Sequence, residues 1–480
     1  MAKTITADLC IIGAGSGGLS VAAGAAQMGA RVVLIEKGAM GGDCLNSGCV
    51  PSKSLIAAAA AADSVRHAGR FGVNGHEPAV DFAGVRDHVR GVIAGIAPHD
   101  SVERFEGLGV TVIQAAAQFT GPREVTAGDA RVRAKRFVIA TGSTPAVPPI
   151  SGLDSVPYLT NETIFDLAER PEHLIVIGGG PIGAELAQAQ RRLGARVSLL
   201  EMARVLAKDD PQVTAVARQR LIEDGVEIHE GIRIKTVARE GNAIAVTLEA
   251  NGSETTLSGS HLLVAAGRKA TVEGLGLEAA GVAYSAKGIA VDRRLRSSNK
   301  RVFAVGDVAV VEGLGSYQFT HVAGYHAGIV IRNALFRLPA KVNYDALPWV
   351  TYTDPEIAHV GLTEARAREI HGERVTVLTA PFAENDRART ERAAEGLVKV
   401  VVGPRGKILG ASIAGRHAGE LLQPWVLAIG QGLKIAAMAN MIAPYPTLGE
   451  ASKRAAGTYY TPTLFGERTK KIVRLMQWLG

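Results

Sequence analysis

The chain is short of several things, and each shortage narrows what it can be. Three cysteines in 480 residues are too few for a disulfide scaffold and fit a reducing, cytoplasmic setting. No apolar run reaches the roughly 18 residues that a bilayer-spanning helix needs, and the Ala-rich stretch 55–62 is far too short. The first residues pass from a few polar side chains straight into the apolar strand Leu9-Cys10-Ile11-Ile12, unlike a secretory leader. Aromatics are only 5%, which leaves no stacking platform for bases. Nor is there a block of one charge: 53 Lys and Arg are scattered among 46 Asp and Glu, net +7. That balance suits an anionic small ligand and argues against a nucleic-acid partner. With 47% hydrophobic and 21% charged residues, the chain is neither disordered nor fibrous. Its length calls for about two to four domains.

Glycine is abundant, at 56 residues, and the informative ones sit in two turns. The strand Leu9–Ile12 runs into Gly13-Ala14-Gly15-Ser16-Gly17-Gly18, then an Ala-rich helical stretch, then Val32–Ile35 ending at Glu36. Glycines 13, 15 and 18 form G-x-G-x-x-G between a strand and a helix. Gly13 permits the tight turn, Gly15 lets the backbone approach a pyrophosphate, and Gly18 lets helix and strand pack closely. The helix N-terminus offers free N–H groups and partial positive charge to phosphate. Glu36 is placed to accept hydrogen bonds from a ribose hydroxyl pair. The pattern recurs with the same spacing in Leu174–Ile177, Gly178-Gly179-Gly180-Pro181-Ile182-Gly183, and Val197–Leu200 leading to Glu201. Glycines 178, 180 and 183 repeat the three roles. Two matching copies predict two bound dinucleotides. A carboxylate at Glu201 suits the free 2′-hydroxyl of NADH and repels the 2′-phosphate of NADPH, although Arg204 nearby could partly compensate.

Between these folds lies Gly41-Gly42-Asp43-Cys44-Leu45-Asn46-Ser47-Gly48-Cys49-Val50-Pro51-Ser52-Lys53. Two thiols four residues apart can close a disulfide if the loop turns back, or can be incidental. Pro51 and Ser52 are helix-start residues ahead of the helix-prone stretch 54–62. Cys49 is therefore expected just before a helix N-terminus, where the dipole favours thiolate. Cys10, in the first strand, reads as a core residue.

The segment G-G-x-C-x-N-x-G-C-x-P-S-K after a first dinucleotide fold resembles the pyridine nucleotide–disulfide oxidoreductases, which include mercuric reductases, dihydrolipoamide dehydrogenases and glutathione reductases. The resemblance continues along the chain in order: Ala140-Thr141-Gly142-Ser143, Ala266-Gly267-Arg268, Phe303-Ala304-Val305-Gly306-Asp307, and the start of a dimerisation domain from Tyr344 to Gly361. It implies an α/β architecture of two Rossmann-like dinucleotide-binding domains, for FAD and NAD, plus an α+β C-terminal dimerisation domain. The expected boundaries are 1–149 with 271–341 returning to it for FAD, 150–270 for the nicotinamide nucleotide, and 342–480 for a homodimer with a shared active site. By the same resemblance, Thr141, Gly142, Asp307 and His321 hold FAD, Asp307 at its ribityl chain. Gly267 and Arg268 close the nucleotide domain. Hydride passes from NADH through FAD to a Cys44–Cys49 disulfide, with Cys49 facing the flavin and Cys44 exchanging with substrate. Lys53 and Glu185 match an ion pair near the flavin's reactive nitrogen.

Three departures shape the functional expectation. The segment Ala443-Pro444-Tyr445-Pro446-Thr447-Leu448-Gly449-Glu450 keeps the family's acid as Glu450 but has Tyr445 where lipoamide and glutathione enzymes have His. A His near pKa 6.5 can take and return a proton at neutral pH, whereas a Tyr near 10 is a neutral donor. Mercuric reductases also carry Tyr here, yet their C-terminal cysteine pair is missing from this chain. Asp43 stands where a Thr is common and adds negative charge beside the thiols. His417 is either a substitute base or a loop cap. The reading is therefore a mercuric reductase-like enzyme acting on a small-molecule disulfide, thiol or metal ion. Its alternatives are a dihydrolipoamide dehydrogenase, an NADH oxidase or quinone reductase, and a non-catalytic redox sensor. In the tail, Arg468, Lys470, Lys471 and Arg474 alternate with Ile472, Leu475, Met476 and Leu479 at helical spacing. Such a helix packs on its own domain or makes weak contact with a membrane surface.

Overall fold

The computed structural model describes residues 3–479, which form two compact units. The first comprises residues 3–178, 189–202 and 232–342; the second comprises 179–188, 203–231 and 343–479.

In the first unit, Lys3–Ile12 lies between Val32–Glu36 and Ala130–Ile139, and Thr111–Gln114 adds outside Val32–Glu36, all parallel. Leu9, Ile11, Leu34, Val138 and Ile139 are fully buried. Parallel strands covered on both faces read as continuous apolar runs, which is why these segments were legible. The C-terminal half of Ala130–Ile139 pairs in parallel with Val302–Ala304, while its N-terminal half pairs with Glu124–Ala127 in an antiparallel extension. The chain thus returns after residue 300 to the sheet it started. Helix Ser16–Gln27 buries Gly17, Gly18, Val21, Ala22 and Ala25; such small side chains let it approach the sheet closely.

A second parallel set places His173–Ile177 between Arg196–Glu201 and His261–Val264. A three-stranded antiparallel meander, Arg233–Glu240, Ala243–Ala250 and Ser253–Gly259, shares a core with it through Ile175, Leu200, Val246 and Leu262.

The second unit is built on a five-stranded antiparallel sheet in the order Pro348–Thr351, Glu356–Gly361, Ile408–Gly415, Leu397–Val402, Thr376–Pro381. Trp425 is fully buried in its core and donates its indole N–H to Ser452 at 3.1 Å. One buried ion cluster stands out: Lys399, 6% exposed, reaches Asp210 at 2.8 Å and Glu364 at 2.7 Å. Removing one partner of a buried pair strands the other in low dielectric. Lys399→Ala should therefore lower the stability of this unit by about 3 kcal/mol, seen as an earlier thermal transition. Lys399→Ala unfolding at the wild-type temperature would contradict this.

Candidate active site

The first phosphate turn behaves as its glycines predict. Gly13 has φ +104°, and a Cβ there would lie 2.4 Å from the Ala140 carbonyl oxygen; one on Gly18 would lie 1.8 Å from the Gly13 oxygen. Any side chain at either position breaks the turn. A Cβ on Gly15 would meet nothing nearer than the Gly42 Cα at 3.8 Å, so bare backbone faces outward there, as a pyrophosphate requires. Gly41 donates its N–H to the Ala14 carbonyl at 3.0 Å and forms a bridge with Gly15. The turn that carries the cysteines is thus fastened to the phosphate turn. Glu36 accepts from the Ala14 N–H at 2.6 Å and the Gly38 N–H at 2.8 Å. It braces the turn, and its remaining lone pairs are what a ribose could use. The residues present fit a dinucleotide here. Gly178 and Gly180 divide the same roles in the second turn: a Cβ on Gly178 would lie 2.5 Å from the Ala265 oxygen, while one on Gly180 meets open space.

Cys44 lies in the short helix Gly42–Asn46, and Cys49 is the first residue of helix Cys49–Arg66. The helix thus begins earlier than Pro51 and Ser52 suggested. Pro51 fits inside the first turn because the N–H it lacks has no partner there anyway. Both thiols are free, and they hydrogen-bond to each other. The bond from Cys44 is the main force lowering the Cys49 pKa, to about 6; burial opposes it, and Thr320 and the Lys53 charge assist. Cys44 is pushed the other way, chiefly by that same bond, then by burial and the Cys49 charge. Cys49 is the thiolate and Cys44 the protonated partner; the direction for Cys49 is the one expected from its place at a helix start, but the bond from Cys44 is its main cause. The sign for pH dependence follows: Cys49 is thiolate above about pH 6 and loses its charge below it. In the reduced protein, the ultraviolet thiolate absorbance missing from Cys49→Ser should rise with a midpoint near pH 6, and Cys44→Ala should move that midpoint upward. A wild-type midpoint near the ordinary 9.0 would overturn the assignment.

Four further residues were not singled out as site residues by the sequence, although Ser16 and Ser143 lie inside its motifs. Thr320, the first residue of helix Thr320–Ala334, places Oγ1 3.4 Å from Cys49 Sγ. Ser16, inside the glycine turn, hydrogen-bonds Cys44. Asn161 donates to Asp43 at 3.2 Å and to the Ser47 carbonyl at 3.1 Å, holding the loop from outside. Ser143 donates to Asp307 at 2.6 Å. Asp43 is not loose beside the thiols. It accepts from Ser47 at 3.1 Å and pairs with Arg268 at 3.2 Å. Arg268, expected at a nucleotide, also donates to the Ser143 hydroxyl at 2.7 Å and carbonyl at 2.9 Å. A continuous chain therefore links Asp43, Arg268, Ser143 and Asp307. Thr141 donates to the Thr271 carbonyl at 2.7 Å, Gly142 takes φ +65° to turn the chain, Gly267 takes φ +127°, and His321 stacks on Phe319.

In the second unit, Glu185 is buried and its carboxylate accepts the Tyr352 N–H at 2.9 Å. Tyr445 is 71% exposed and donates its hydroxyl to Asp386 at 3.2 Å. That bond and the Asp386 charge raise its pKa further, so Tyr445 is a firm donor and a poor proton acceptor. Glu450 starts helix Glu450–Thr458 and accepts the Thr447 N–H at 3.3 Å. His417 sits at φ +59° immediately before helix Ala418–Leu421, with no side-chain hydrogen bond to the helix start. Among the described residues no cluster of His, Cys, Asp and Glu is arranged to hold a metal ion, and no helix is long and apolar enough to cross a membrane.

Two dinucleotide turns, a thiolate–thiol pair tied to the first of them and a separate α+β unit define a flavoprotein reductase architecture. Residues 7–327 match the pyridine nucleotide-disulphide oxidoreductase family and residues 347–456 its dimerisation domain. The chain belongs to this family, whose members bind FAD and use a pyridine nucleotide. It is 38% identical to a mercuric reductase of Streptomyces lividans over 460 residues, covering 94% of this chain and 96% of that protein. It is 35% identical to a dihydrolipoyl dehydrogenase of Geobacillus stearothermophilus over 462 residues, covering 94% and 96%. Among solved structures, LpdA of Mycobacterium tuberculosis superposes with a TM-score of 0.85 at 26% identity, covering 95% of this chain and 99% of that one. The Cu(II) complex of the HOCl-induced flavoprotein disulfide reductase RclA from Escherichia coli gives 0.82 at 26% identity, covering 93% and 98%.

Proposed function

We propose that this protein is an FAD-dependent, NADH-linked reductase whose Cys44–Cys49 pair passes electrons to a thiol-bound metal ion or a small disulfide. Bound FAD would supply the hydride relay between nicotinamide and the cysteines. The chain's own contribution is the division of labour between its thiols. For a disulfide acceptor, Cys44 passes its proton to the hydrogen-bonded Cys49 thiolate and attacks one acceptor sulfur; the other sulfur leaves as a thiolate and takes that proton from Cys49, departing as a thiol. Cys49 thiolate then attacks Cys44 sulfur, releasing the second thiol and closing the Cys44–Cys49 bond. Lys53 and Glu185 serve the flavin end of this route, and Tyr445 and Glu450 of one subunit of a homodimer serve Cys44 of the other.

The observation that carries the metal-ion reading is Tyr445 bonded to Asp386. Cys44 holds its proton tightly, and Tyr445 cannot remove it. A thiophilic cation needs no base, because binding to sulfur itself displaces the proton. The mercuric reductase relatives and the Cu(II)-bound neighbour support the same class of acceptor. The dihydrolipoyl dehydrogenase relatives favour the second reading, NAD-linked oxidation of a dithiol. Two assays on the purified holoprotein separate them: NADH-driven reduction of Hg(II) held by a small thiol, and dihydrolipoamide oxidation with NAD. Metal reduction with negligible lipoamide turnover is expected. Lipoamide turnover at the ordinary enzymatic scale of about 10 per second would overturn the metal-ion reading. Turnover of NADH insensitive to thiol alkylation would point to an oxidase or quinone reductase, and no turnover at all to a sensor.

A further inference from the structure

We propose that the C-terminal helix Glu467–Leu479 docks on an anionic lipid bilayer and holds the protein at a membrane surface. Every residue from Lys470 to Leu479 is exposed, and the helix buries none of its side chains. That differs from the expectation that it packs on its own domain. Ile472, Leu475, Met476 and Leu479 follow one another at three- and four-residue steps and share a face; they are 57–65% exposed. Phe465, just ahead of the helix, is 70% exposed. A row of large apolar side chains this size is a docking surface.

Three features select lipid as the occupant. Lys470 and Arg474 lie opposite the apolar stripe and Lys471 flanks it; the helix's lone acid, Glu467, pairs with Lys470 at 2.9 Å, so Arg468, Lys471 and Arg474 leave a cationic surplus. An identical helix from a second copy would bring the same Lys and Arg side chains against these, whereas acidic headgroups attract them. Trp478, 81% exposed, stands one turn after Arg474 on the side of the helix that carries Lys471, among the groups that meet headgroups, the layer that an amphipathic ring favours. The match to the family's dimerisation domain ends at residue 456, ahead of this helix. At 13 residues it is about 20 Å long, enough to lie along an interface and too short to span it.

The test is co-sedimentation of the full-length holoprotein with phosphatidylcholine vesicles, with and without phosphatidylglycerol. Binding should require the anionic lipid, fall in high salt, and weaken about fivefold for each charge lost in K470Q, K471Q and R474Q. Trp478 emission should shift blue on binding, with the shift absent in W478F. NADH turnover with a soluble acceptor should stay unchanged in these variants, showing them folded. Equal binding to neutral vesicles, or none to anionic ones, would overturn the proposal. So would tail variants that change the oligomeric state in light scattering without altering vesicle binding, since the occupant would then be a second copy.

Discussion

Cys44→Ser should abolish reduction of disulfide and thiol-bound metal acceptors, with turnover falling at least about 10³-fold, while NADH still bleaches the flavin at close to the wild-type rate. The two steps use different atoms. Cys49, the low-pKa member, remains in Cys44→Ser at the head of its helix, beside Thr320 and near Lys53. What is lost is the sulfur that must leave the pair and meet an acceptor; a hydroxyl can neither form a mixed disulfide nor hold a soft metal. Stopped-flow absorbance for the first half-reaction and steady-state assays for the second separate the outcomes. Full activity of Cys44→Ser with every acceptor would mean that electrons leave the flavin by another route. Cys49→Ser should lose the same turnover together with the thiolate absorbance titrating near pH 6.

Tyr445→His should raise dihydrolipoamide oxidation by about 10²-fold. The existing hydroxyl donates to Asp386, and that carboxylate pushes its pKa up. An imidazole in the same place would have Asp386 as the partner that fixes its tautomer and supports its protonated form. It could then accept a thiol proton near neutrality, and the gained activity should rise with pH as the imidazole deprotonates, above its ordinary 6.5 or somewhat higher beside Asp386. Metal-ion reduction should change only a few-fold, because the cation displaces the proton itself. No gain in Tyr445→His would mean that substrate choice is set elsewhere in the cleft, and the weight placed on this one residue would be lost.

Those two results bear on residues that the sequence already singled out, and the reason is local. Gly13, Gly18 and Gly178 are dictated by a turn in which a Cβ has no room, so their spacing survives in any chain that makes the turn. The strands around them are buried on both faces and read as apolar runs. Cys44 and Cys49 stand close in sequence, and a helix start acts on whichever thiol sits there. Such features are written within a few dozen residues, and they determined the α/β class, the two glycine turns and the thiol pair.

The surroundings of the thiols were decided only by tertiary structure. Thr320 reaches Cys49 across 271 positions of the chain and Asn161 reaches Asp43 across 118. Nothing in the local pattern of a Thr or an Asn announces such a partner. Arg268 read as a nucleotide residue from its neighbours Ala266 and Gly267, yet its guanidinium lies against Asp43 and Ser143. Asp386 gave no sign of holding Tyr445 until the chain brought them together. Motif positions are fixed by backbone sterics, which act between near neighbours. Proton affinities and charge pairs depend on through-space distance and burial, and folding alone supplies those.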